Sequence, residues 1–450
     1  MGRLFGTDGV RGVAITELTC ELAMNIGRAA ALVLTKYAKQ GKRANILIGK
    51  DTRISSDALE AALISGIVSV GADAELLGVV PTPAVAYLIR EFEADAGVMI
   101  SASHNLVEDN GIKLFSGTGE KLPDEIEAEI ESYILDAPQK ITLKSGVEIG
   151  RIRSFYVGND NYINHIKDCT DGDLSGLKLL FDCANGSACS SVDVFAELGA
   201  DCEFIGNSPN GCNINKDCGS THLKNLSEKV RGGTFNAGIA FDGDADRCLM
   251  VDEKGNEVSG DKIIALLAKS MKEKGTLKND TVVVTVMSNL GFHEYMRENG
   301  INTVCTSVGD RYVCEEMQKN GYNIGGEDSG HIILSDYAAT GDGLLTAARF
   351  LSLLKASGKP LSELVSAIKN YPQKLIGVKV NSEMRANWDK NEKIIKVIKE
   401  ADEFFGKDGR VLVRASGTEP LLRIMIEGKN AADVDGWILK IKETVEKEIV

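Results

Sequence analysis

GVMISASHNLVEDNGIKL, residues 97–114, is the stretch that decides how this chain folds. Its apolar run 98–100 is long enough for a buried strand, and it leads directly into the small polar residues 101–105, which bond their own backbone in turns. One serine of that turn, Ser103, stands next to His104. The stretch alone supports two interpretations: a reactive hydroxyl, or a strand-to-turn junction in which the serine only caps the next segment.

An apolar run that ends in a polar loop recurs along the chain. The run 46–48 is followed by the polar loop 49–53, and the runs 177–181 and 238–241 end in similar loops. Segments with helical spacing separate these runs, so the pattern predicts mostly parallel sheets covered by helices on both faces. Because open α/β sheets bind ligands at the carboxyl ends of their strands, we expect the polar loops to share a cleft.

The same pattern predicts four domains. A loose polar stretch at 138–147 ends the first domain, and Pro360 and Pro372 flank the last boundary. We predict an α/β fold with three successive mixed-sheet α/β domains and a smaller C-terminal α+β domain. The predicted bounds are 1–155, 156–256, 257–370 and 371–450.

Composition and charge limit the function. The chain has 450 residues, 43% of them hydrophobic, which is enough for several cores. Its formal net charge of −14 disfavours a nucleic-acid or anionic-membrane partner. The ten cysteines are scattered, and no CxxC pair accompanies Cys212 and Cys218, so we expect reduced thiols and no zinc site. The sequence has neither a signal peptide nor a membrane-spanning run, and a cytoplasmic location is therefore expected.

The most specific local signal is the acidic segment DGDADR, residues 242–247. Its carboxylates, Asp242, Asp244 and Asp246, recur with a period of two after a buried run, so they project to one side and repel each other unless a cation lies among them. A calcium EF-hand is excluded because Arg247 replaces the required glycine. The segment predicts a magnesium site, and a solvated acidic turn is the alternative.

Two further loops have compositions suited to a phosphosugar. RASGTEP at 414–420, with Arg423 beyond it, combines guanidinium groups, hydroxyls and a glycine, which suits a phosphate; a plain hairpin loop is the alternative. GGEDSGH at 325–331 offers hydrogen-bond acceptors and a histidine between glycines, which suits sugar hydroxyls. Taken by itself, His331 is more often structural than catalytic.

Four motifs together carry a resemblance to a known family. ASHN-x4-NGIK, DGDADR, GEDSGH and RASGTEP occur in the order and approximate spacing of the α-D-phosphohexomutase superfamily, which the chain resembles over essentially its whole length. FGTDGVRG at 5–12, NIN at 213–215, CGSTH at 218–222 and VGDRYV at 308–313 are similar to the branch that acts on amino-sugar phosphates.

Two residues depart from the pattern of that superfamily. Leu106 stands where proline is usual after ASHN, and we expect it to loosen the turn behind the serine. Asp328 stands where glutamine is usual, and we expect it to place a further negative charge near the sugar.

The resemblance implies a phosphohexomutase-type fold, with the four domains in a heart-like arrangement around a central cleft. It implies that Ser103 carries a phosphoryl group and that one Mg²⁺ is held by Asp242, Asp244 and Asp246 together with an oxygen on Ser103. For proton transfer the resemblance implies Lys113 and His331, and for charge stabilisation it implies Arg11, Lys50 and Arg247. For the sugar it implies Glu327 and Ser329. The phosphate that does not react is expected to be bound by Arg414, Ser416, Gly417, Thr418 and Arg423.

The implied reaction converts glucosamine 6-phosphate to glucosamine 1-phosphate through a 1,6-bisphosphate, as an isomerase whose product in bacteria feeds peptidoglycan precursor synthesis. A hexose 1,6-bisphosphate is the implied activator, and that compound or a kinase loads the serine. The expected partner is a small phosphosugar, with no nucleic acid and no membrane, and the expected assembly is a monomer or homodimer. The alternatives are a mutase for mannose or glucose phosphates, a phosphosugar-binding protein without turnover, and a metal-dependent phosphatase.

Overall fold

The computed structural model forms two compact units. One comprises Met1–Met287 with Ile301–Ser366, and the other comprises Ser288–Gly300 with Ala367–Val450. The residues that the structure describes are 3–6, 8–36, 43–416 and 420–448. Because Gly417 and Thr418 of the predicted phosphate loop lie outside those ranges, their roles stay predictions.

The first sheet of the larger unit contains the serine turn. Its strands are β1 (Val10–Val13), β2 (Asn45–Lys50), β3 (Asp73–Val79), β4 (Ala96–Ile100), β5 (Asp109–Ser116) and β6 (Ile152–Ser154), in the order β1-β5-β4-β2-β3-β6. The strands β2, β3, β4 and β6 are parallel, whereas β5 runs antiparallel to β4 and β1 antiparallel to β5. The buried strand predicted at 98–100 is confirmed as β4, and its carboxyl end leads into the turn.

Helices α1 (Cys20–Leu34), α2 (Ile54–Ser69), α3 (Thr82–Glu91) and α4 (Asp124–Leu135) accompany this sheet. Helices α1 and α2 approach closely at Gly27 and Gly66, where a Cβ atom would lie 2.4 Å from the Leu63 carbonyl oxygen and 2.1 Å from the Met24 carbonyl oxygen. Only glycine permits this contact, which fixes α2, the helix that begins directly after the loop at the end of β2.

The second sheet contains the acidic segment. Its strands are β7 (Lys178–Asp182), β8 (Asp201–Ile205), β9 (Ala237–Phe241), β10 (Cys248–Asp252) and β11 (Glu257–Val258), in the order β11-β10-β9-β7-β8, with helices α5 (Gly158–Asp168), α6 (Val194–Glu197) and α7 (Lys224–Gly232). Phe181 stacks on Phe195 with ring centroids 4.5 Å apart in the core. Because β9 and β10 pair antiparallel, residues 242–247 form the connection between them.

The third sheet contains the predicted sugar loop. Its strands are β12 (Thr281–Thr285), β13 (Asn302–Thr306), β14 (Ile324–Gly326) and β15 (Ile332–Leu334), in the order β13-β12-β14-β15. Helices α8 (Gly260–Glu273), α10 (Asp310–Asn320), α11 (Gly343–Ser357) and α12 (Leu361–Val365) belong to the same unit, and α9 (Leu290–Glu298) belongs to the smaller one. Strands β14 and β15 pair antiparallel, so residues 327–331 connect them.

The smaller unit is an α+β structure. Its antiparallel strands β16 (Gln373–Lys379), β17 (Gly409–Ala415) and β18 (Leu421–Gly428) have the order β16-β18-β17, and α9 is joined there by α13 (Ser382–Asn387), α14 (Glu392–Phe405) and α15 (Ala431–Glu448). Apolar side chains of α14 and α15 pack on the sheet around Ile424. The α/β class with a C-terminal α+β domain is thus confirmed, and the heart-like arrangement stays a prediction.

All ten cysteines are free thiols. In the described part of the chain, no helix combines the length and the apolar character needed to cross a membrane.

Candidate active site

Ser103 lies at the carboxyl end of β4 in a strained and buried turn. Its backbone has φ +53°, a left-handed conformation that few residues other than glycine adopt, and the residue is 1% exposed. The Ser101 hydroxyl accepts a hydrogen bond from the Ser103 N–H at 2.9 Å. The Ser103 hydroxyl donates to Asp242 Oδ2 at 2.6 Å, and it lies 3.4 Å from His104 Nδ1. The strain orients this hydroxyl toward the acidic segment.

The turn around Ser103 is held by a buried arginine. Arg53 donates to the carbonyl oxygens of Ser103 at 3.1 Å and Asn105 at 2.7 Å, and also to those of Leu106 and Asp109. Its charge is balanced by Asp51, whose Oδ2 accepts from Arg53 Nε at 2.8 Å. The Asp51 carboxylate also accepts from Ser101 Oγ at 2.7 Å. Burial raises the pKa of Asp51, and the contacts with Arg53 oppose that change.

Replacing Arg53 by methionine is expected to destabilise the protein by about 3–5 kcal/mol, because the Asp51 carboxylate loses its counter-charge in the interior. The turn carbonyls also lose their donor, so phosphoryl-transfer activity of the folded fraction should fall about 10-fold or more through misplacement of Ser103. Urea unfolding followed by circular dichroism measures the first effect, and assays of the folded fraction measure the second. Arg43→Met removes a more exposed pair with Asp73 and serves as the control; equal losses of stability in both variants would contradict the argument.

The three aspartates of the acidic segment are buried together. One ligand oxygen from each of Asp242, Asp244 and Asp246 lies within 4.8 Å of the other two, the one such group of three among the residues that the structure describes. Asp244 Oδ2 accepts from Thr82 Oγ1 at 2.5 Å and Lys113 Nζ at 2.7 Å, whereas Oδ1 of Asp244 and of Asp246 is buried without a hydrogen-bond partner. Burial and the charges of Asp246 and Asp244 raise the pKa of Asp242 well above its usual value.

Buried carboxylate oxygens without donors fit a hard divalent cation. Each unpaired oxygen retains lone pairs that water does not reach, which is costly unless an ion compensates them. An all-oxygen donor set of carboxylates and a serine oxygen is the chemistry that Mg²⁺ selects. The residues present therefore fit the predicted magnesium ion.

Basic groups surround the acidic cluster. Lys113 Nζ lies 2.7 Å from Asp244 Oδ2, 3.3 Å from Asp246 Oδ2 and 3.0 Å from Asp8 Oδ2. Burial lowers the pKa of Lys113, but Asp244, Asp8 and Asp246 outweigh burial and raise it well above the usual value. The Arg11 guanidinium is paired with Asp8, and Arg247 Nε lies 3.9 Å from Asp246 Oδ1. The Nε atom of each is nevertheless a buried donor without a hydrogen-bond partner, which leaves it available to an anion.

His331 lies between two carboxylates. Its Nδ1 is 3.6 Å from Asp246 Oδ1, its Nε2 is 3.4 Å from Asp310 Oδ2, and the Gly341 N–H donates to Nε2 at 3.2 Å. Burial lowers the pKa of His331, but Asp246 and Asp310 together outweigh burial, so the net shift is upward. Gly341 is required at this point because a Cβ atom there would lie 2.4 Å from the imidazole ring.

The remaining predicted residues of the larger unit lie in different surroundings. The Lys50 ammonium contacts Asp57 Oδ1 at 2.7 Å and Glu60 Oε2 at 2.6 Å, so it is paired with α2 and not with the acidic cluster. Glu327 Oε1 accepts from the Gly309 N–H at 3.0 Å, and Ser329 Oγ donates to Glu327 Oε2 at 3.3 Å. The sugar-loop residues are thus adjacent, and Glu327 is fixed by the start of α10.

Both departures from the superfamily pattern have a local explanation. The Leu106 side chain is 49% exposed, but its carbonyl oxygen accepts from Arg53, so the turn is held without proline. Asp328 accepts from the Asp261 N–H through Oδ1 at 3.2 Å and from the Gly260 N–H through its carbonyl at 2.9 Å. Its carboxylate thus satisfies the N-terminus of α8, where a negative charge is favourable.

Sequence reasoning missed the residues that position the site. Asp51 and Arg53 lie in the polar loop 49–53, where no signal in the sequence distinguishes an internal ion pair from two exposed charges. Asn215, inside the NIN motif, donates to the Ser103 carbonyl at 2.8 Å. Asp8 and Asp310 lie in FGTDGVRG and VGDRYV, which indicated the family branch but received no role.

In the smaller unit, Arg414 and Arg423 lie opposite each other on β17 and β18. Burial and the charge of Arg423 both lower the pKa of Arg414, because the second guanidinium group disfavours the charged form of the first. Ser416 is buried next to this pair and bonds through its N–H to the Leu421 carbonyl oxygen at 2.8 Å. The pair suits a phosphate dianion.

Family models match each of the four sheet regions in turn. The models for the phosphoglucomutase/phosphomannomutase alpha/beta/alpha domains I, II and III match residues 2–140, 160–255 and 259–371, and the model for the C-terminal domain matches 375–443. The chain therefore belongs to the phosphoglucomutase/phosphomannomutase family. Within that family it groups with the phosphoglucosamine mutases: the enzyme of that name from Acetivibrio thermocellus is 51% identical, with 100% of both chains covered. Other full-length relatives at about 50% identity have the same name.

Solved structures show the same fold. A phosphoglucomutase/phosphomannomutase family protein from Burkholderia thailandensis superimposes with a TM-score of 0.81 at 24% identity, covering 99% of this chain and 97% of that chain. N-acetylphosphoglucosamine mutase from Aspergillus fumigatus, in complex with GlcNAc-6P and magnesium, has a TM-score of 0.72 at 18% identity, with 99% and 96% covered.

Proposed function

We propose that this chain interconverts glucosamine 6-phosphate and glucosamine 1-phosphate, with Ser103 as the phosphoryl carrier. The observation that carries the proposal is the 2.6 Å hydrogen bond from the Ser103 hydroxyl to Asp242 within the buried acidic cluster. A phosphoserine in that position is an anion that can share a cation with the three carboxylates, and the free hydroxyl is placed to accept the phosphoryl group back. The names of the full-length relatives support the amino sugar as substrate.

Asp242, Asp244 and Asp246 would hold one Mg²⁺, with an oxygen on phosphorylated Ser103 as a further ligand. When bound, the ion supplies positive charge that neutralises the phosphoryl oxygens and polarises phosphorus. The magnesium complex of the Aspergillus fumigatus enzyme supports this choice of metal.

The reaction consists of two transfers in opposite directions. In the first, the bond between phosphorus and Ser103 Oγ breaks, a bond to the sugar 1-oxygen forms, the 1-hydroxyl loses its proton and Ser103 gains one. The resulting glucosamine 1,6-bisphosphate reorients. In the second, the bond between phosphorus and the 6-oxygen breaks, Ser103 Oγ attacks and loses its proton, and the 6-oxygen receives one. No phosphate is consumed.

The surrounding side chains stabilise charge, transfer protons and bind the substrate. Arg11 and Arg247 stabilise the moving phosphoryl group, each through an Nε that has no hydrogen-bond partner. Lys113 and His331 are the candidates for proton transfer. Asp57 and Glu60 compensate the charge of Lys50, so its part in charge stabilisation stays a prediction. Glu327 and Ser329 bind sugar hydroxyls in both orientations, and the phosphate that does not react is bound by Arg414, Ser416, Gly417, Thr418 and Arg423.

A hexose 1,6-bisphosphate would load Ser103 at the start and replace any intermediate that escapes, and a kinase is the other route to the first phosphoryl group. The ten free thiols are consistent with a reducing cytoplasm as the place of the reaction.

The experiment offers glucosamine, glucose and mannose 6-phosphates to the purified protein with Mg²⁺ and a trace of glucose 1,6-bisphosphate. We expect glucosamine 6-phosphate to have the highest kcat/KM and free phosphate to stay constant. Faster turnover of mannose 6-phosphate would make the protein a phosphomannomutase, and release of phosphate without isomerisation would make it a phosphatase. Binding without any turnover would leave only a phosphosugar-binding function.

A further inference from the structure

Charged side chains around the acidic cluster close into a ring. Lys113 joins Asp246 to Asp8 at 3.3 and 3.0 Å, and Lys121 Nζ bonds Asp8 Oδ1 at 2.6 Å. Lys121 also bonds Asp310, whose Oδ2 lies 3.4 Å from His331 Nε2. His331 Nδ1 returns to Asp246 Oδ1 at 3.6 Å. The members of this ring, which we call the charge ring, are Asp246, Lys113, Asp8, Lys121, Asp310 and His331.

The charge ring joins parts of three sheet regions. Asp8, Lys113 and Lys121 accompany the first sheet, Asp246 follows β9 of the second, and Asp310 begins α10 beside the third. Each member has an oppositely charged neighbour on both sides, so removal of one takes a partner away from two buried charges; Asp8 also pairs with Arg11. Lys121 is the single link between Asp8 and Asp310 in this ring.

We propose that Lys121 is a positioning residue that holds both proton-transfer candidates, Lys113 and His331, in place against the acidic cluster. Lys121 neutralises Asp310 and so fixes that carboxylate beside the His331 imidazole ring. Lys121 also fixes Asp8 through Oδ1, and the other oxygen of Asp8 contacts Lys113. Lys121 acts through its neighbours and makes no contact with the aspartates of the acidic segment among its described bonds. The inference rests on the proposed function, since it gives the charge ring a role in phosphoryl transfer.

Arg311 provides a matched control for Lys121. The Arg311 side chain is 17% exposed, and that of Lys121 is 20% exposed. Arg311 links α10 to Asp124 at 2.5 Å and to Glu127 at 3.6 Å. Arg311 thus crosses the same boundary between α10 and the segment around α4, but its guanidinium contacts no member of the charge ring. A general loosening of α10 would be reproduced by Arg311→Met, whereas a loss of the charge ring would not.

The test compares Lys121→Met with Arg311→Met in two measurements. We expect Lys121→Met to lower kcat about 10- to 100-fold with KM changed less than about threefold, because supporting contacts of this kind have effects of that size when lost. Arg311→Met should stay within about twofold of the wild type in both constants. Lys121→Arg, which keeps the charge, should recover most of the lost kcat.

The second measurement records the NMR signals of the His331 imidazole ring and does not depend on turnover. In protein labelled with ¹⁵N-histidine, the ring signals of His331 are identified by their loss in His331→Gln, and we expect them to shift in Lys121→Met and to stay in place in Arg311→Met. Unshifted signals, or equal effects of the two variants on kcat, would overturn the inference. If Lys121→Met fails to fold, Asp310→Asn tests the same link. Absence of mutase activity in the wild type would refute the proposed function, whereas the NMR comparison would still test the charge ring.

Discussion

Ser103→Ala is expected to lower the kcat of the mutase reaction by on the order of 10³-fold or more, and to abolish incorporation of phosphate into the protein. The serine oxygen gives up the phosphoryl group in the first transfer and accepts it in the second, so no neighbouring group compensates its loss. The fold should tolerate the change, because the turn is held by Arg53 and Asn215 through backbone carbonyls and the missing hydrogen bond to the Asp242 carboxylate costs about 1.5–3 kcal/mol. Activity assays and intact-mass spectrometry measure the two effects.

Ser101→Ala is the matched control, since Ser101 is equally buried two residues earlier in the same turn. Its hydroxyl bonds Asp51 and the Ser103 N–H, so the variant should lose some activity through misplacement but should still accept one phosphoryl group. A Ser103→Ala protein that keeps its phosphate and full activity would assign the carrier role to Ser101 or to another residue.

The parts of the fold that follow from local pattern were predictable. The run 98–100 was predicted as a buried strand because apolar character and length suffice for such an inference, and β4 occupies 96–100. DGDADR predicted a cation site because its three carboxylates directly follow a buried run, and the structure places all three close together and buried. Each of these inferences depends on residues that are neighbours in the chain.

The positioning contacts were not predictable in the same way. Arg53 and Ser103 are 50 residues apart, and Lys121 and Asp310 are 189 residues apart, so no local pattern joins either pair. Asp328 is a further example: its place in the sugar loop predicts a charge near the sugar, which stays a prediction, and the hydrogen bond that its carboxylate accepts at the N-terminus of α8 was not foreseen. Long-range pairing decides which charges are available to a ligand, and a single sequence does not contain that information.

The acidic cluster reveals a conflict between activity and stability. Three carboxylates buried within 4.8 Å of each other repel, and protein donors compensate them unequally. Asp244 is neutralised by Lys113 and Thr82, whereas Asp242 accepts from the Ser103 hydroxyl and from the Arg247 N–H at 3.2 Å. Asp242 therefore carries the less compensated charge in the protein without metal.

Asp242→Asn and Asp244→Asn are accordingly expected to have the same effect on activity and opposite effects on stability. Each should lower kcat by on the order of 10³-fold, because each removes an anionic ligand from the site proposed for Mg²⁺. In EDTA, Asp242→Asn should raise the free energy of unfolding by about 1 kcal/mol through relief of repulsion, whereas Asp244→Asn should lower it by a similar amount or more because Lys113 loses part of its counter-charge.

Urea unfolding in EDTA and in excess Mg²⁺ separates these effects. The wild type should gain stability from Mg²⁺ in proportion to the logarithm of its concentration, and both variants should lose most of that gain. Asp252→Asn is the control, since this buried carboxylate lies at the end of β10 and bonds only to the turn at 254–256 among its described contacts. Equal destabilisation of both cluster variants in EDTA would contradict the repulsion argument. If Mg²⁺ still stabilised both variants as much as the wild type, the ion would bind elsewhere.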